Sequence, residues 1–230
     1  MLKVNDSDKK KPSHAEIELK GELISLFPAK FAFWKKESTI FLSDCHLGKI
    51  SHFRKSGIGI PTQAGLETFS QIHKILLEFQ PERIIFLGDI FHSDFNSDFH
   101  RFENWRKQFK ETSFDLVLGN HDKSGLNYFE EMGLNIHPDL TIGPFYCTHE
   151  PQIHSEKGFN FCGHIHPAVS LFGSGRQNVK VPCFWKGNNH LCFPSFGVFT
   201  GSVSIKPNST DQFFALAGNS IRLIEGSSLL

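Results

Sequence analysis

Three stretches of the chain share one pattern. Thr39-Ile40-Phe41-Leu42-Ser43-Asp44, Arg83-Ile84-Ile85-Phe86-Leu87-Gly88-Asp89 and Phe114-Asp115-Leu116-Val117-Leu118-Gly119-Asn120 are short apolar runs that end on a polar residue. Runs of this kind predict strands buried on both faces. Between the first two, Leu66, Phe69, Ile72, Ile75, Leu76 and Phe79 recur at intervals of three and four, which predicts an amphipathic helix over 62–79, stopped by Pro81. A second helix is predicted over 97–111, with Phe99, Phe102, Trp105 and Phe109 on one side. That stripe is expected to face a core rather than to stack on nucleic-acid bases. Upstream, 17–34 reads as paired short strands broken at Gly21 and at Pro28-Ala29. Beyond Ile142 the helical spacing disappears. Runs at 145–148, 159–162, 179–185, 191–193, 196–202, 213–216 and 221–224 predict a mostly antiparallel second half, with hairpin gaps at Gly187-Asn188-Asn189 and Gly218-Asn219.

Strand, helix, strand, helix, strand followed by many short strands predicts an α/β fold of two sheets packed face to face with helices outside. No repeat, low-complexity tract or long linker interrupts it, so 14–230 is expected to form one domain. Residues 1–13 carry Lys9-Lys10-Lys11 with no apolar stretch after them; they fail as a secretory signal and are expected to be a frayed, solvated tail. No apolar run approaches the roughly 18 to 20 residues that span a bilayer.

Composition narrows the function classes. The 24 Lys+Arg balance the 24 Asp+Glu, which removes a bulk electrostatic pull on nucleic acid or acidic membrane. The five cysteines are odd in number and form no C-x-x-C pair, against both a disulfide framework and a zinc ribbon; a reducing cytoplasm is expected, with Cys147 and Cys162 as small buried hydrophobes. The 13 histidines beside only 2 tyrosines point instead to metal ligation or proton transfer.

In an open α/β sheet, ligands collect at the carboxyl ends of the strands. The polar residues predicted at those ends are Asp44 with His46, Asp89, Asn120 with His121 and Asp122, His149, and His164 with His166. One such residue alone would read as a cap or a turn. The repeated placement divides into two cation sites: Asp44, His46 and His166 for one ion, Asn120, His149 and His164 for the other, with a carboxylate such as Asp89 able to bridge them. Mixed oxygen and imidazole donors suit Mn²⁺, Fe or Zn²⁺ better than Ca²⁺. Two ions about 3.5 to 4 Å apart can clamp a phosphoryl group and activate a water at neutral pH. His121 is the candidate general acid for the leaving oxygen, and Asp122 is expected to orient its ring.

Asp44-Cys45-His46, Gly88-Asp89, Gly119-Asn120-His121-Asp122, His149 and Gly163-His164-Ile165-His166 resemble the five ordered motifs of the calcineurin-like metallophosphoesterases. That resemblance implies a two-sheet αββα sandwich with mixed parallel and antiparallel strands. It also implies one metal on Asp44, His46, Asp89 and His166, a second on Asp89, Asn120, His149 and His164, and His121 as proton donor. A narrower resemblance is carried by Leu47-Gly48-Lys49, His52-Phe53-Arg54-Lys55-Ser56-Gly57, Pro61, Phe91-His92-Ser93 and His149-Glu150-Pro151. These are similar to the bacterial ligase-associated DNA-damage-response phosphoesterases, the PdeM group, which implies DNA as substrate and a functional association with a DNA ligase and a helicase. Lys49, His52, Arg54 and His92 are then candidate substrate contacts, Arg54 foremost because a guanidinium can grip a phosphate in two places. The rival assignments are a phosphoesterase acting on a nucleotide or other small phosphate ester, which the neutral charge favours, and a non-catalytic scaffold on the same fold.

Overall fold

A computed structural model describes residues 14–49, 62–92, 97–123, 125–152, 156–172, 178–198 and 200–230. His52 and Arg54, and the tail over 1–13, lie outside the described residues.

The first sheet runs in sequence order through β1 (Ala15–Leu19), β2 (Glu22–Phe27), β3 (Phe31–Trp34), β4 (Thr39–Leu42), β5 (Arg83–Leu87), β6 (Ser113–Val117) and β7 (Asn135–His137). β1 to β4 pair antiparallel, and β4 to β7 pair parallel. β4, β5 and β6 are mostly apolar because both faces are covered. Ile40, Leu42, Ile84, Phe86, Phe114 and Leu116 pack on one side against the helices, while Phe41, Ile85, Leu87 and Val117 pack on the other against the second sheet.

Among the described residues, the helical layer includes α1 (Thr62–Phe79), α2 (Ser97–Arg106) and a short α3 (Leu126–Glu131). α1 has its predicted bounds, and Phe69, Ile72, Ile75 and Leu76 are buried; Leu66, expected on that face, is 40% exposed. α2 ends five residues before its predicted limit. The chain turns at Arg106, where the Phe109 N–H donates to the Arg106 carbonyl, and Phe109 still reaches the same cluster from the turn. Phe99, Phe102 and Trp105 are buried, so the aromatic stripe is core. His73 supports that stripe, because its Nδ1 accepts the Trp105 indole N–H at 3.1 Å.

The second sheet contains β8 (Leu140–Ile142), β9 (Phe145–Cys147), β10 (Phe159–Cys162), β11 (Pro167–Phe172), β12 (Asn178–Lys186), β13 (His190–Cys192), β14 (Val203–Ser204), β15 (Gln212–Ala217) and β16 (Ser220–Glu225). Its main path is β14-β11-β12-β13-β10-β9-β8, with β15 and β16 branching from β12. Both predicted hairpins form, β12 with β13 and β15 with β16. Most pairs in this half are antiparallel, as expected, but β10 pairs parallel with both β9 and β13. Connections that cross between strands, not tight turns, therefore bring the ends of β9 and β10 to one edge. The run predicted at 196–202 contains no strand among its described residues. It is a strap, in which the Phe196 and Gly197 amides donate to the carbonyls of Ser43 and Asp44 at 2.8 and 3.0 Å. Phe145, Phe161, Phe184 and Phe193 fill the space between the sheets against Trp34 and Phe41, with ring centroids of Phe41 and Phe161 5.0 Å apart in an edge-to-face contact. The architecture is a two-sheet α/β sandwich with mixed parallel and antiparallel pairing.

Candidate metal centre

Every candidate ligand sits just after a strand: Asp44 and His46 after β4, Asp89 after β5, Asn120 after β6, His149 after β9, and His164 and His166 after β10. Parallel pairing puts these ends at the same edge of each sheet, and the face-to-face packing puts the two edges together. A ladder of backbone bonds beyond the strands ties the first two loops, from Asp44 N–H to the Gly88 carbonyl at 3.1 Å and His46 N–H to the Asp89 carbonyl at 3.0 Å. The backbone is left-handed at Asp44, His46, Asp89, His164 and His166, with φ between 44° and 67°. Such a conformation costs a non-glycine residue on the order of 1 to 3 kcal/mol and persists where the surroundings over-determine it, as at binding sites.

Three glycines clear the space. A Cβ on Gly88 would sit 2.2 Å from His149 Nδ1, one on Gly119 2.2 Å from Asp89 Oδ1, and one on Gly163 2.5 Å from Asp44 Oδ2. The Gly-Asp, Gly-Asn and Gly-His pairs in the sequence thus mark positions where neighbouring loops touch the backbone.

Two groups of side chains have ligand atoms close enough to share an ion: Asp44, His46 and His166, and Asp44, Asp89 and His149. Asp44 belongs to both groups, and Asp89, the bridging carboxylate expected from the sequence, stands in the second. His166 Nε2 lies 3.0 Å and His46 Nε2 4.0 Å from Asp44 Oδ1, and His149 Nε2 lies 3.5 Å from Asp89 Oδ2. His164 and Asn120 extend the second group, with His164 Nδ1 3.2 Å from His149 Nε2 and 3.5 Å from Asn120 Nδ2. All seven predicted ligands are brought together.

The donor set fits divalent cations. Asp44 Oδ1 and His46 Nδ1 are buried without a hydrogen-bond partner. His149 Nδ1 faces the Leu87 carbonyl at 2.8 Å and His166 Nδ1 the Gly201 carbonyl at 3.2 Å, so each Nδ1 carries a proton and each Nε2 points at a carboxylate. In the neutral rings these are lone pairs facing anionic oxygens, an arrangement that a proton or a cation must bridge.

The electrostatics follow from burial and this crowding. Burial holds His46 down to about 4 against the pull of Asp44 and Asp89, so its ring is neutral and ready to ligate. Burial alone would lower His149, but the Asp89 hydrogen bond and the charges of Asp44 and Asp89 carry it up to about 9. Burial works against the Asp89 carboxylate too, and the His149 contact and the His121 amide bring it down to about 2.

His121 is the candidate acid. Its side chain is 48% exposed, with Nε2 3.9 Å from Asp89 Oδ2, and its backbone N–H donates to Asp89 Oδ1 at 2.9 Å. Asp122, expected to steer that ring, has other partners: it is fully buried, Oδ2 accepts the amides of Asp89 and Gly119 at 2.8 and 2.9 Å, and Oδ1 accepts that of Ile90 at 3.1 Å. Its carboxylate staples the loop after β5 to the loop after β6. Of the substrate candidates, His92 stands beside the centre, its ring 5.5 Å from those of His46 and His121. Lys49 lies one turn past His46, close enough for its charge to lower the His46 pKa.

Sequence reasoning missed the residues that hold the ligands rather than touching an ion. Ser43 donates to Asp44, Ser195 Oγ donates to the Asp44 carbonyl at 2.9 Å, and Glu150 Oε1 accepts from Asn120 Nδ2 at 3.3 Å. Only adjacency to a ligand could have flagged Ser43 and Glu150; nothing local marks Ser195. All five cysteines are free and buried, Cys45 between two ligands included.

No family model matches the chain, and no curated protein matches it. Among solved structures it is similar to the crystal structure of Pseudomonas putida nuclease MPE, at 27% sequence identity and a TM-score of 0.77, over 92% of this chain and 100% of that one. The likeness therefore extends over nearly the whole two-sheet fold.

Proposed function

We propose that this chain is a dinuclear-metal phosphoesterase that hydrolyses phosphodiester bonds in nucleic acid. The observation that carries the reading is the pair of Asp/His groups sharing Asp44, within a fold similar to that of a nuclease. Asp44, His46 and His166, with Asp89 beside them, would hold one divalent ion, and Asp89, His149, His164 and Asn120 the other. Mn²⁺ is the first choice for this mixed set of oxygen and nitrogen donors, with Fe and Zn²⁺ as the other fits. Bound ions would supply Lewis-acid charge for the phosphoryl oxygens and lower the pKa of a water nucleophile. The chain's own residues orient and protonate. The carbonyls of Leu87 and Gly201 fix the tautomers of His149 and His166, Asp89 is held ionised, and exposed His121 donates a proton to the oxygen that leaves. Lys49 and His92, with Arg54 and His52, are the phosphate contacts.

DNA as substrate and a repair role beside a ligase and a helicase, as in PdeM, extend the reading from the sequence motifs. Five buried thiols suit a reducing cytoplasm, and among the described residues no helix is long and apolar enough to cross a membrane. The equal numbers of acidic and basic residues favour a second reading, hydrolysis of a nucleotide or other small phosphate ester. The test is hydrolysis of bis-p-nitrophenyl phosphate with added Mn²⁺, alongside linear and circular DNA, RNA and nucleotides. Asp89→Asn is expected to abolish turnover, and full activity in that variant refutes the shared-centre mechanism. Steep loss of DNA cleavage from low to moderate salt separates the nucleic-acid reading from the small-ester one.

A further inference from the structure

Ser43 is invisible to any motif of ligands, yet it stands where three ligand loops meet. It is fully buried at the end of β4. Its hydroxyl lies 2.5 Å from Asp44 Oδ2 and 3.0 Å from the Leu87 carbonyl, the same carbonyl that receives His149 Nδ1–H. A Cβ on Gly163 would fall on top of Ser43 Oγ, so the loop bearing His164 is glycine at the point of contact. The hydroxyl has one proton for two acceptors, and the nearer, charged one takes it in a short charge-assisted bond.

Asp44 Oδ2 then has two donors, the Ser43 hydroxyl and the His164 backbone N–H at 3.0 Å. Both lone-pair directions of Oδ2 are occupied by the protein. Oδ1 is left buried, without a hydrogen-bond partner, and aimed at His166. Asp44 stands with His46 and His166 and within reach of Asp89 and His149, so the rotation of this one carboxylate sets the geometry of the first ion's site and bears on its neighbour.

We propose that Ser43 is a positioning residue that locks the Asp44 carboxylate with Oδ2 turned to the protein and Oδ1 turned to the metal centre. This role rests on the metal reading above. It differs from a purely structural one because removing the hydroxyl would free the carboxylate to rotate without opening the core: a methyl group fits wherever Ser43 Cβ already sits.

The test measures Mn²⁺ binding by calorimetry and by the electron paramagnetic resonance of free Mn²⁺, with thermal unfolding in chelator as the control for folding. Ser43→Ala is expected to bind Mn²⁺ roughly 10- to 100-fold more weakly, the usual effect of removing an outer partner of a metal ligand. Raising Mn²⁺ should restore its turnover number to within a few-fold of wild type. Thr112→Ala, which deletes a buried hydroxyl bonded to the Pro81 carbonyl at 2.8 Å far from the site, is expected to lower the melting temperature and leave Mn²⁺ affinity unchanged. If Ser43→Ala does not fold, Ser43→Cys, with its weaker donor, is expected to bind with intermediate affinity. Wild-type Mn²⁺ affinity in the folded serine variant overturns the proposal alone. A wild-type chain that binds no Mn²⁺ overturns the metal reading and the proposal with it.

Discussion

Gly119→Ala adds one methyl group where the loops after β5 and β6 touch. The new Cβ would lie 2.2 Å from Asp89 Oδ1 and 2.4 Å from the Asp89 backbone nitrogen. Rotating a side chain cannot relieve the second contact, because it is made to backbone. Reaching ordinary contact requires a relative movement of about 1 Å between the loops after β5 and β6, and a misplacement of that size costs on the order of 10²-fold in rate. The same loops are stapled by Asp122, whose Oδ2 accepts both the Asp89 and Gly119 amides, so the strain is not free to dissipate outward. Overpacking of this kind costs about 1 to 3 kcal/mol, and in a domain of this size each kcal/mol lowers the melting temperature by about 2 to 4 °C. The assay pairs hydrolysis of bis-p-nitrophenyl phosphate at saturating Mn²⁺ with thermal unfolding. Gly21→Ala is the comparison: it sits in the β1–β2 turn at φ 81° with nothing near its Cβ, so it carries backbone strain without touching the centre. Gly119→Ala is expected to lose about 10²-fold in turnover and Gly21→Ala none, although both lose stability. Wild-type turnover in Gly119→Ala would refute the claim that the spacing of these two loops sets the geometry of Asp89.

Asp122→Ala is expected to destabilise the protein by about 3 kcal/mol or more, because three buried amides lose their acceptor at roughly 1 kcal/mol or above for each. A changed pH profile with an unchanged melting temperature would instead return Asp122 to the role of steering His121. His190 gives a pH dependence away from the centre: it is buried in β13 with neither ring nitrogen hydrogen-bonded, and burial lowers its pKa below 6.5, against the pull of Asp211. The unfolded chain then binds the proton more readily, so stability falls as pH drops below 6.5. His190→Phe should flatten that part of the curve, and an identical slope in thermal unfolding from about pH 7 to 5 would contradict it.

Much of this molecule is written in local pattern. Ile40 and Leu42 alternate with Phe41 between two packing faces, Ile84 and Phe86 alternate with Ile85 and Leu87, and an apolar run long enough for one strand has few other ways to be buried. The polar residue after each run, and the glycine before several of them, are local features as well. The parallel pairing of β9 and β10 escaped the pattern because the apolar run of a strand is the same whichever neighbour it takes. The strap over 196–198 escaped because its buried Phe196 imitates a strand, while the Phe196 and Gly197 amides bond to the Ser43–Asp44 loop and to no ladder.

Composition and order along the chain therefore determined which side chains are available for chemistry and that they stand at strand ends, since both depend on residues a few positions apart. The tertiary structure alone decided that Asp44 stands within reach of both groups, what Asp122 holds, and that Ser43 and Ser195 serve the first ligand. Those outcomes rest on bonds such as His164 N–H to Asp44 Oδ2 at 3.0 Å and Ser195 Oγ to the Asp44 carbonyl at 2.9 Å, between residues 120 and 151 positions apart. A hydrogen bond is directional over a few tenths of an ångström, and no property of one segment specifies how another, folded against it, will aim its donors.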